Sequence, residues 1–267
     1  MDILDKIVAY KREEVKLAKE QTSKTALENS KFFNRSCNSY VDRLSRENAT
    51  GVIAEFKRKS PSKSAINLDA DLLAVTNGYA EGGADAISIL TDVHFFGGSD
   101  SFIKTVRTAL PAMPLLRKEF IIDEYQVIQA KALGADIILL ICEILSTKEV
   151  SYLSQLARSL GMEVLLELHS EDQIEKYSDH VTMVGVNNRD LTTFEVDYER
   201  SKKLFDLLPT DVPKVSESGL SETATVAMLY DYGFRGFLIG EQFMKQEDPG
   251  VACQEFIDDY MKQRTRS

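Results

Sequence analysis

Tryptophan is absent from this 267-residue sequence, and cysteine and histidine occur only three times each. The cysteines are odd in number and scattered, at positions 37, 142 and 253, so we expect neither a disulfide framework nor a cysteine-based metal site. Such sparse cysteine is typical of the reducing cytoplasm, where we expect the chain to be located. The histidines have neither H-x-x-H nor H-E-x-x-H spacing, and we therefore expect no bound metal.

Basic residues are fewer than acidic ones. The sequence has 32 lysines and arginines against 42 acidic residues, which gives a formal net charge of -10 at pH 7. This balance argues against a nucleic acid or an anionic membrane surface as a partner. An anionic ligand would need a local basic site, and the segment 57–63 supplies one.

We expect no secretion signal in the first 20 residues, because Asp2, Asp5 and Lys6 interrupt them and no apolar stretch follows. Their apolar residues recur near helical spacing and predict an amphipathic helix. A second helix is predicted over about residues 26–47. We expect residues 1–50 to form a helical extension that caps the rest of the chain.

From residue 51 onward, short apolar runs alternate with amphipathic segments in units of about 20–35 residues. The runs predict eight strands, at 52–57, 86–90, 114–118, 136–141, 163–168, 183–187, 213–216 and 236–239. Eight strands that are each followed by a helix predict the α/β class, with a single (β/α)8 TIM barrel over residues 51–267 and no second domain. The alternative is an open doubly wound sheet, but no G-x-G-x-x-G follows the first strand.

Charged residues stand at the ends of several predicted strands. Because side chains alternate along a strand, Glu55 and Lys57 share the face of Ile53. The active sites of TIM barrels lie at the carboxyl ends of the strands. The same alternation, applied to the other strands, predicts one mouth lined by Glu55, Lys57, Lys118, Glu167, Asn187 and Ser218. Carboxylates and ammonium groups that lie close together shift each other's pKa, which suits general acid–base catalysis.

Two glycines predict a phosphate site beside this mouth. Gly219 and Gly240 follow the last two strands and precede predicted helices. Glycine allows backbone N–H groups to approach a phosphate closely, and TIM barrels commonly bind phosphate after strands seven and eight.

These motifs together resemble the indole-3-glycerol-phosphate synthase family. The resemblance rests on EFKRKSPS at 55–62, LRKEFIID at 116–123, LELH at 166–169, GVNNRDL at 185–191, SESG at 216–219 and LIG at 238–240. It covers nearly the whole chain, including the helices before the barrel. It implies a lyase of tryptophan biosynthesis that needs no cofactor. Such an enzyme closes the ring of 1-(2-carboxyphenylamino)-1-deoxyribulose 5-phosphate with loss of carbon dioxide and water.

The resemblance also implies roles for individual residues. Lys118 is the general acid that protonates the substrate carbonyl, and Glu167 acts on the developing hydroxyl and in the dehydration. The other implied catalytic residues are the acid–base pair Glu55 and Lys57 and the orienting residues Asn187 and Ser218. The implied substrate-binding residues are Lys59, Ser60, Arg189, Gly219, Gly240 and the backbone of Glu241 for the phosphate, Phe96 and Phe120 for the aromatic ring, and Glu217.

The sequence departs from the family pattern at three positions. Glu119 follows Lys118 where aspartate is usual, and Ser64 stands where glycine is common. Glu241 replaces a hydroxyl residue found in some members, so we expect only its backbone to reach a phosphate.

Two other functions fit the same residues. A Schiff-base aldolase would use Lys118 or Lys57 as a nucleophile on a sugar-phosphate carbonyl. A non-catalytic phosphosugar-binding protein would need only the phosphate site. For each of these functions we expect the partner to be a small phosphorylated molecule. For the synthase this molecule is also carboxylated and aromatic. We expect the protein to be a monomer.

Overall fold

Eight parallel strands close into a barrel in the computed structural model, which describes residues 3–61, 63, 65–189 and 195–264. Each strand pairs with its neighbours in sequence, and β1 closes the barrel against β8. The strands are β1 Val52–Phe56, β2 Ala86–Leu90, β3 Leu115–Lys118, β4 Ile137–Ile141, β5 Glu163–Leu168, β6 Met183–Asn187, β7 Lys214–Glu217 and β8 Gly236–Ile239. The predicted (β/α)8 fold is confirmed.

Helices surround this barrel and precede it. They are α1 Ile3–Gln21, α2 Lys24–Glu28, α3 Tyr40–Leu44, α4 Leu72–Glu81, α5 Asp100–Ala109, α6 Glu124–Leu133, α7 Thr147–Ser159, α8 Tyr198–Leu207, α9 Thr223–Tyr232, α10 Glu241–Met244 and α11 Pro249–Arg264. A 3-10 helix, Glu171–Lys176, takes the place of an α-helix after β5. Helices α4 to α8 each begin at an Asp or Ser whose side chain accepts a hydrogen bond from the first turn, which satisfies one of the N–H groups left without an intrahelical partner.

The prediction of one helix over residues 26–47 is wrong. The segment instead contains the end of α2, an irregular stretch and α3. The irregular stretch is rich in Ser and Asn, whose side chains compete with the helix for backbone hydrogen bonds. Ser39 then starts α3 by accepting from the N–H of Asp42.

The irregular stretch and α3 cover the amino-terminal end of the barrel. Asp136, which is fully buried, accepts hydrogen bonds from the guanidinium of Arg35 and the N–H of Asn38, and it also pairs with Arg107. The side chain of Tyr40 is fully buried, and its hydroxyl donates to the carbonyl of Gly51 at 2.8 Å. Helix α1 lies at the opposite end, where its first two turns meet the cavity described below.

Alternation along the strands divides the core into two layers. Outward-facing residues such as Val52 and Ala54 pack beneath the helices, whereas Ile53 and its counterparts fill the barrel interior. The inward set includes Ile53, Ala86, Leu116, Ile137, Leu139, Leu165, Met183, Val215 and Leu238. A residue two positions further along the same strand therefore faces the carboxyl-terminal mouth.

Candidate active site

The carboxyl ends of the strands surround a cavity of about 420 Å³. This volume falls within the range of about 300–1,000 Å³ that is usual for small-molecule sites. The residues predicted from the sequence that line it are Glu55, Lys57, Ser60, Phe96, Lys118, Phe120, Glu167, Asn187, Arg189, Ser218, Gly219, Gly240 and Glu241. Residues that are distant in sequence thus meet at one rim of the barrel.

Lys118 is the central charge of the cavity floor. Its Nζ lies 2.8 Å from Glu217 Oε2 and 3.4 Å from Glu167 Oε2, and both carboxylates are buried. With Glu55 of β1, these residues come from the four odd-numbered strands. TIM barrels fill their interior in layers supplied by alternate strands, and here the uppermost layer is charged.

The charges in this layer set one another's pKa. Burial alone would lower the pKa of Lys118, but the carboxylates of Glu217, Glu167 and Glu55 raise it above its usual value. Burial raises the pKa of Glu217, and the negative charge of Glu167 adds to this effect although Lys118 opposes it. Burial would also raise the pKa of Glu167, but Lys118, His169 and the hydrogen bonds to the carboxylate together outweigh it, and the pKa is lowered. The floor therefore combines an ionised carboxylate, a retained ammonium and a carboxyl group that holds its proton to a higher pH.

A second acid–base pair is formed at the end of β1. Lys57 Nζ lies 3.0 Å from Glu55 Oε1, and the hydroxyl of Ser88 donates to Glu55 Oε2 at 3.0 Å. Burial opposes ionisation of Glu55, yet the nearby Lys57 and Lys118 lower its pKa. Glu55 is therefore a carboxylate that orients Lys57 toward the cavity.

Asn187 fixes the orientation of Glu167. Its Nδ2 donates to Glu167 Oε1 at 3.1 Å, while its own Oδ1 accepts from the N–H of Arg189 at 3.0 Å. The imidazole Nε2 of His169 lies 3.3 Å from the same oxygen of Glu167. The amide thus leaves the other oxygen of Glu167 directed toward Lys118.

The backbone after β7 and β8 is shaped for an anion. Among the described residues no side chain caps α9 or α10, so their first N–H groups remain for another acceptor. Ser218 and Gly219 have φ of 70° and 74°, and the side chain of Asn188 donates to the Ser218 carbonyl at 2.8 Å. A non-glycine residue in this region is uncommon and marks a constrained turn. The neighbouring wall carries the basic residue Arg189.

Two aromatic rings form an apolar wall. The centroids of Phe96 and Phe120 lie 5.8 Å apart with their planes inclined by 40°. Ile3, Leu4 and Ile7 of α1 also line the cavity. A planar apolar group can therefore be enclosed between the barrel and the N-terminal helix.

Comparison with known proteins agrees with this arrangement. The family model described as "Indole-3-glycerol phosphate synthase" matches residues 4–256. The chain belongs to the indole-3-glycerol phosphate synthase family. The indole-3-glycerol phosphate synthase of Bacteroides thetaiotaomicron is 46% identical over 261 residues, which are 96% of this chain and 98% of that protein. The indole-3-glycerol phosphate synthase of Salinibacter ruber is 40% identical over 253 residues, which are 94% of each chain.

Solved structures resemble this member of the indole-3-glycerol phosphate synthase family in fold alone. A structure described as "KGPDC from Streptococcus mutans" matches with a TM-score of 0.59 at 14% identity, covering 79% of this chain and 97% of that one. The 3-hexulose-6-phosphate synthase of Salmonella typhimurium has the same TM-score at 12% identity, covering 80% of this chain and 99% of that one.

Two residues predicted to bind substrate lie outside the cavity wall of this family member. The ammonium of Lys59 donates to the His94 carbonyl at 2.9 Å, so it is turned away from the cavity. Glu217 is 1% exposed and lies behind Lys118, where it contacts the ammonium rather than the open space. Glu241 lines the cavity while its carboxylate pairs with Lys63. Ser64, which stands where glycine is common in the family, falls outside the described residues.

Several residues of the site were not predicted from the sequence. Ser88 holds Glu55 from outside the cavity wall, and Lys245 and the first two turns of α1 complete that wall. The alternation of β2 could have indicated Ser88, since it lies between the inward residues Ala86 and Leu90. No comparable pattern marks Lys245.

Within residues 3–61, 63, 65–189 and 195–264, no helix has the length and apolar character needed to cross a bilayer. In the same part of the chain, no group of three or more His, Cys, Asp or Glu residues is arranged to hold a metal ion.

Proposed function

We propose that the chain converts 1-(2-carboxyphenylamino)-1-deoxyribulose 5-phosphate into indole-3-glycerol phosphate, with release of carbon dioxide and water. The observation that carries this proposal is the position of Lys118 between Glu167 and Glu217 on the floor of a cavity that also has an aromatic wall and an uncapped backbone edge. The substrate has one group for each of these features: a carbonyl, an aromatic ring and a phosphate.

Lys118 acts as the general acid of ring closure. The ring carbon that bears the carboxylate attacks the ketone carbon, and the carbonyl oxygen takes the proton of the ammonium. Carbon dioxide then leaves and the ring regains its aromatic character. A positioned general acid contributes about 10²- to 10⁴-fold to rate.

Glu167 acts in the dehydration that follows. Its lowered pKa keeps it ionised, so it can accept the proton lost from the carbon next to the hydroxyl. Lys118, which regains a proton from solvent after ring closure, gives the hydroxyl the proton with which it leaves as water. Asn187 holds the carboxylate of Glu167 in place through the 3.1 Å hydrogen bond. Glu217 positions Lys118 from behind, which replaces its predicted contact with the substrate.

Lys57 and Glu55 act on the carboxylate side of the substrate. Lys57 lines the cavity, and its ammonium can pair with the substrate carboxylate before this group leaves as carbon dioxide. Glu55 orients this ammonium through the ion pair at 3.0 Å. Ser218 completes the set of orienting residues.

The phosphate serves as a remote handle. Arg189, Ser60 and the backbone at Gly219, Gly240 and Glu241 lie on one part of the cavity wall and offer a cation, a hydroxyl and N–H groups. Binding energy at this non-reacting group holds the flexible sugar chain near the geometry of attack. Phe96 and Phe120 hold the aromatic ring by stacking.

A Schiff-base aldolase is the less favoured function. A nucleophilic lysine needs a lowered pKa so that the free amine is available. The pKa of Lys118 is raised instead, because Glu217, Glu167 and Glu55 surround and stabilise its ammonium. Reduction with borohydride in the presence of substrate would trap a lysine adduct, and a mass increase on Lys118 or Lys57 would favour the aldolase.

Formation of indole fluorescence from the substrate tests the proposed function directly. The protein has no tryptophan, so its own emission comes from tyrosine and the indole signal is measured on a low background. We expect release of carbon dioxide in equal amount to indole. Binding of substrate without either product would overturn the proposal in favour of a phosphosugar-binding protein.

We further propose that residues 1–50 and 51–267 form one folded unit. We also propose that the protein is a cytoplasmic monomer, and that its partner is its substrate and not a nucleic acid. Interdigitation of α1 and α3 with the two barrel ends supports the first point. Light scattering would test the monomer.

A further inference from the structure

A buried ammonium on the N-terminal helix lies close to the aromatic wall. Lys11 of α1 has a side chain that is 1% exposed, and its Nζ lies 2.9 Å from Glu119 Oε1 and 3.0 Å from Asp92 Oδ2. The side chains of Asp92 and Glu119 are 0% and 2% exposed, whereas the third partner, Glu14, reaches solvent. Burying charges away from water is costly unless they are paired, so this cluster must be fully formed to be tolerated.

Both buried carboxylates also hold the backbone of the cavity wall. Asp92 Oδ1 accepts from the N–H of Phe95 at 2.6 Å and from the N–H of Phe96 at 3.2 Å. Glu119 Oε1 accepts from the N–H of Phe120 at 2.9 Å. The ammonium of Lys11 therefore holds both carboxylates, and each carboxylate holds the backbone N–H of one phenylalanine of the wall.

We infer that Lys11 is a positioning residue that holds the Phe96–Phe120 wall in the geometry needed to bind the aromatic ring of the substrate. The inference rests on the proposed function, since it assigns this wall to the 2-aminobenzoate part of the substrate. It also gives a role to Glu119, whose side chain is long enough to accept from Phe120, to meet Lys11 and to accept from Thr91 at 2.7 Å through its other oxygen.

Helix α1 offers a matched control for this inference. Lys19 forms a second ion pair between α1 and the barrel, with its Nζ 2.7 Å from Asp123 Oδ2. This pair is exposed, with side-chain exposures of 42% and 30%, and neither residue lines the cavity. Lys11→Met removes the ion pairs of α1 with Asp92 and Glu119, and Lys19→Met removes its ion pair with Asp123. Only the first change affects the wall.

The experiment measures the two ends of the substrate separately. Isothermal titration with 2-aminobenzoate probes the aromatic wall, and titration with inorganic phosphate probes the site after β7 and β8. In Lys11→Met we expect the affinity for 2-aminobenzoate to fall by about three- to tenfold, the range that a misplaced aromatic pair would cost. We expect phosphate affinity to be unchanged, and Lys19→Met to match the wild type for both ligands.

A second variant keeps the inference testable if Lys11→Met does not fold. The triple change Lys11→Met, Asp92→Asn and Glu119→Gln removes the buried charges together, so it leaves no uncompensated carboxylate. The same selective loss of 2-aminobenzoate affinity is expected, because neutral amides without an ammonium are less firmly oriented.

The outcomes separate the inference from the proposed function. A folded Lys11 variant with wild-type affinity for 2-aminobenzoate would overturn the inference, as would equal loss of affinity for both ligands, which indicates general loosening. Failure of the wild type to bind 2-aminobenzoate would also overturn it, even if indole is formed. Absence of indole formation by the wild type would instead overturn the proposed function.

Discussion

Replacement of Lys118 by methionine tests the proposed reaction most directly. Methionine keeps an unbranched apolar stem of similar length and removes the ammonium, so the change leaves little empty space. Loss of a general acid predicts a decrease in kcat of about 10²- to 10⁴-fold, equivalent to about 3–5 kcal/mol of transition-state stabilisation. The KM should change little, because the phosphate handle is formed by other strands.

The same change has a cost in stability that must be measured. Removing one partner of a buried ion pair costs about 3–5 kcal/mol, against a typical total of about 5–15 kcal/mol, so the variant should still fold. Uptake of a proton by Glu217 reduces the cost, since burial and Glu167 already raise its pKa. A carboxyl with a raised pKa stabilises the fold below its unfolded pKa and loses this contribution as the pH rises through its folded pKa. The variant should therefore lose stability as the pH rises, and turnover should be compared near neutral pH.

Indole fluorescence measures the turnover of this variant, and circular dichroism measures its folded fraction. Lys19→Met is the control for loss of a lysine that lies outside the cavity. A folded Lys118→Met protein with kcat within about twofold of the wild type would refute the assignment, because the ammonium that was removed could not then be the general acid.

Three further changes probe the support of this lysine and of the fold. Glu217→Gln should keep kcat near neutral pH within about tenfold of the wild type, because the amide resembles a protonated carboxyl and can still accept from the Lys118 ammonium at 2.8 Å. It should remove the alkaline decline of kcat/KM that is expected when Glu217 ionises and strengthens the hold on the Lys118 proton; a pH series measures both. Gly185→Ala should lower kcat with little change in KM, since its new β-carbon would lie 2.0 Å from Glu217 Oε1 and would displace that carboxylate; steady-state kinetics measure this. Asp136→Asn should lower the free energy of unfolding by about 3–5 kcal/mol by leaving the Arg107 guanidinium buried without its charge partner, with kcat of the folded protein unchanged; denaturant unfolding measures the loss.

Strand periodicity predicted the fold and the inward direction of most site residues. Once the side chains of a strand alternate, the position of Ile53 decides that Glu55 faces the interior, and the same holds for Leu165 and Glu167. This inference needs no knowledge of contacts between strands.

Alternation was less informative where a strand ends. Glu217 lies two residues after the inward-facing Val215 and continues its face of β7. The sequence analysis instead predicted Ser218 as the residue at the mouth and Glu217 as a substrate contact. The left-handed backbone at Ser218 bends the chain, so both residues point toward the same region at different depths. A contact such as that of Lys59 with the His94 carbonyl depends on how two loops meet, which local periodicity does not determine.

The burial of Lys11 could have been predicted from its position in α1, but the many other charged residues of this helix obscured the pattern. Lys11 lies four residues after Ile7 and four before Val15, and all three residues are buried on one face of α1. A lysine within an apolar stripe predicts a buried partner. In a helix otherwise rich in exposed lysine and glutamate, only its position on that stripe distinguishes it.

In the proposed reaction, the raised pKa of Lys118 also determines when the proton can move. An ammonium stabilised by the surrounding carboxyl groups is a weak acid toward a ketone oxygen, which is a poor base. As the ring carbon bonds to the ketone carbon, that oxygen gains the charge of an alkoxide and becomes a far stronger base than the amine. Proton transfer is therefore favourable only along the path of ring closure. The carboxylates keep the acid charged until that moment, and the same charge prevents the amine from attacking the ketone itself.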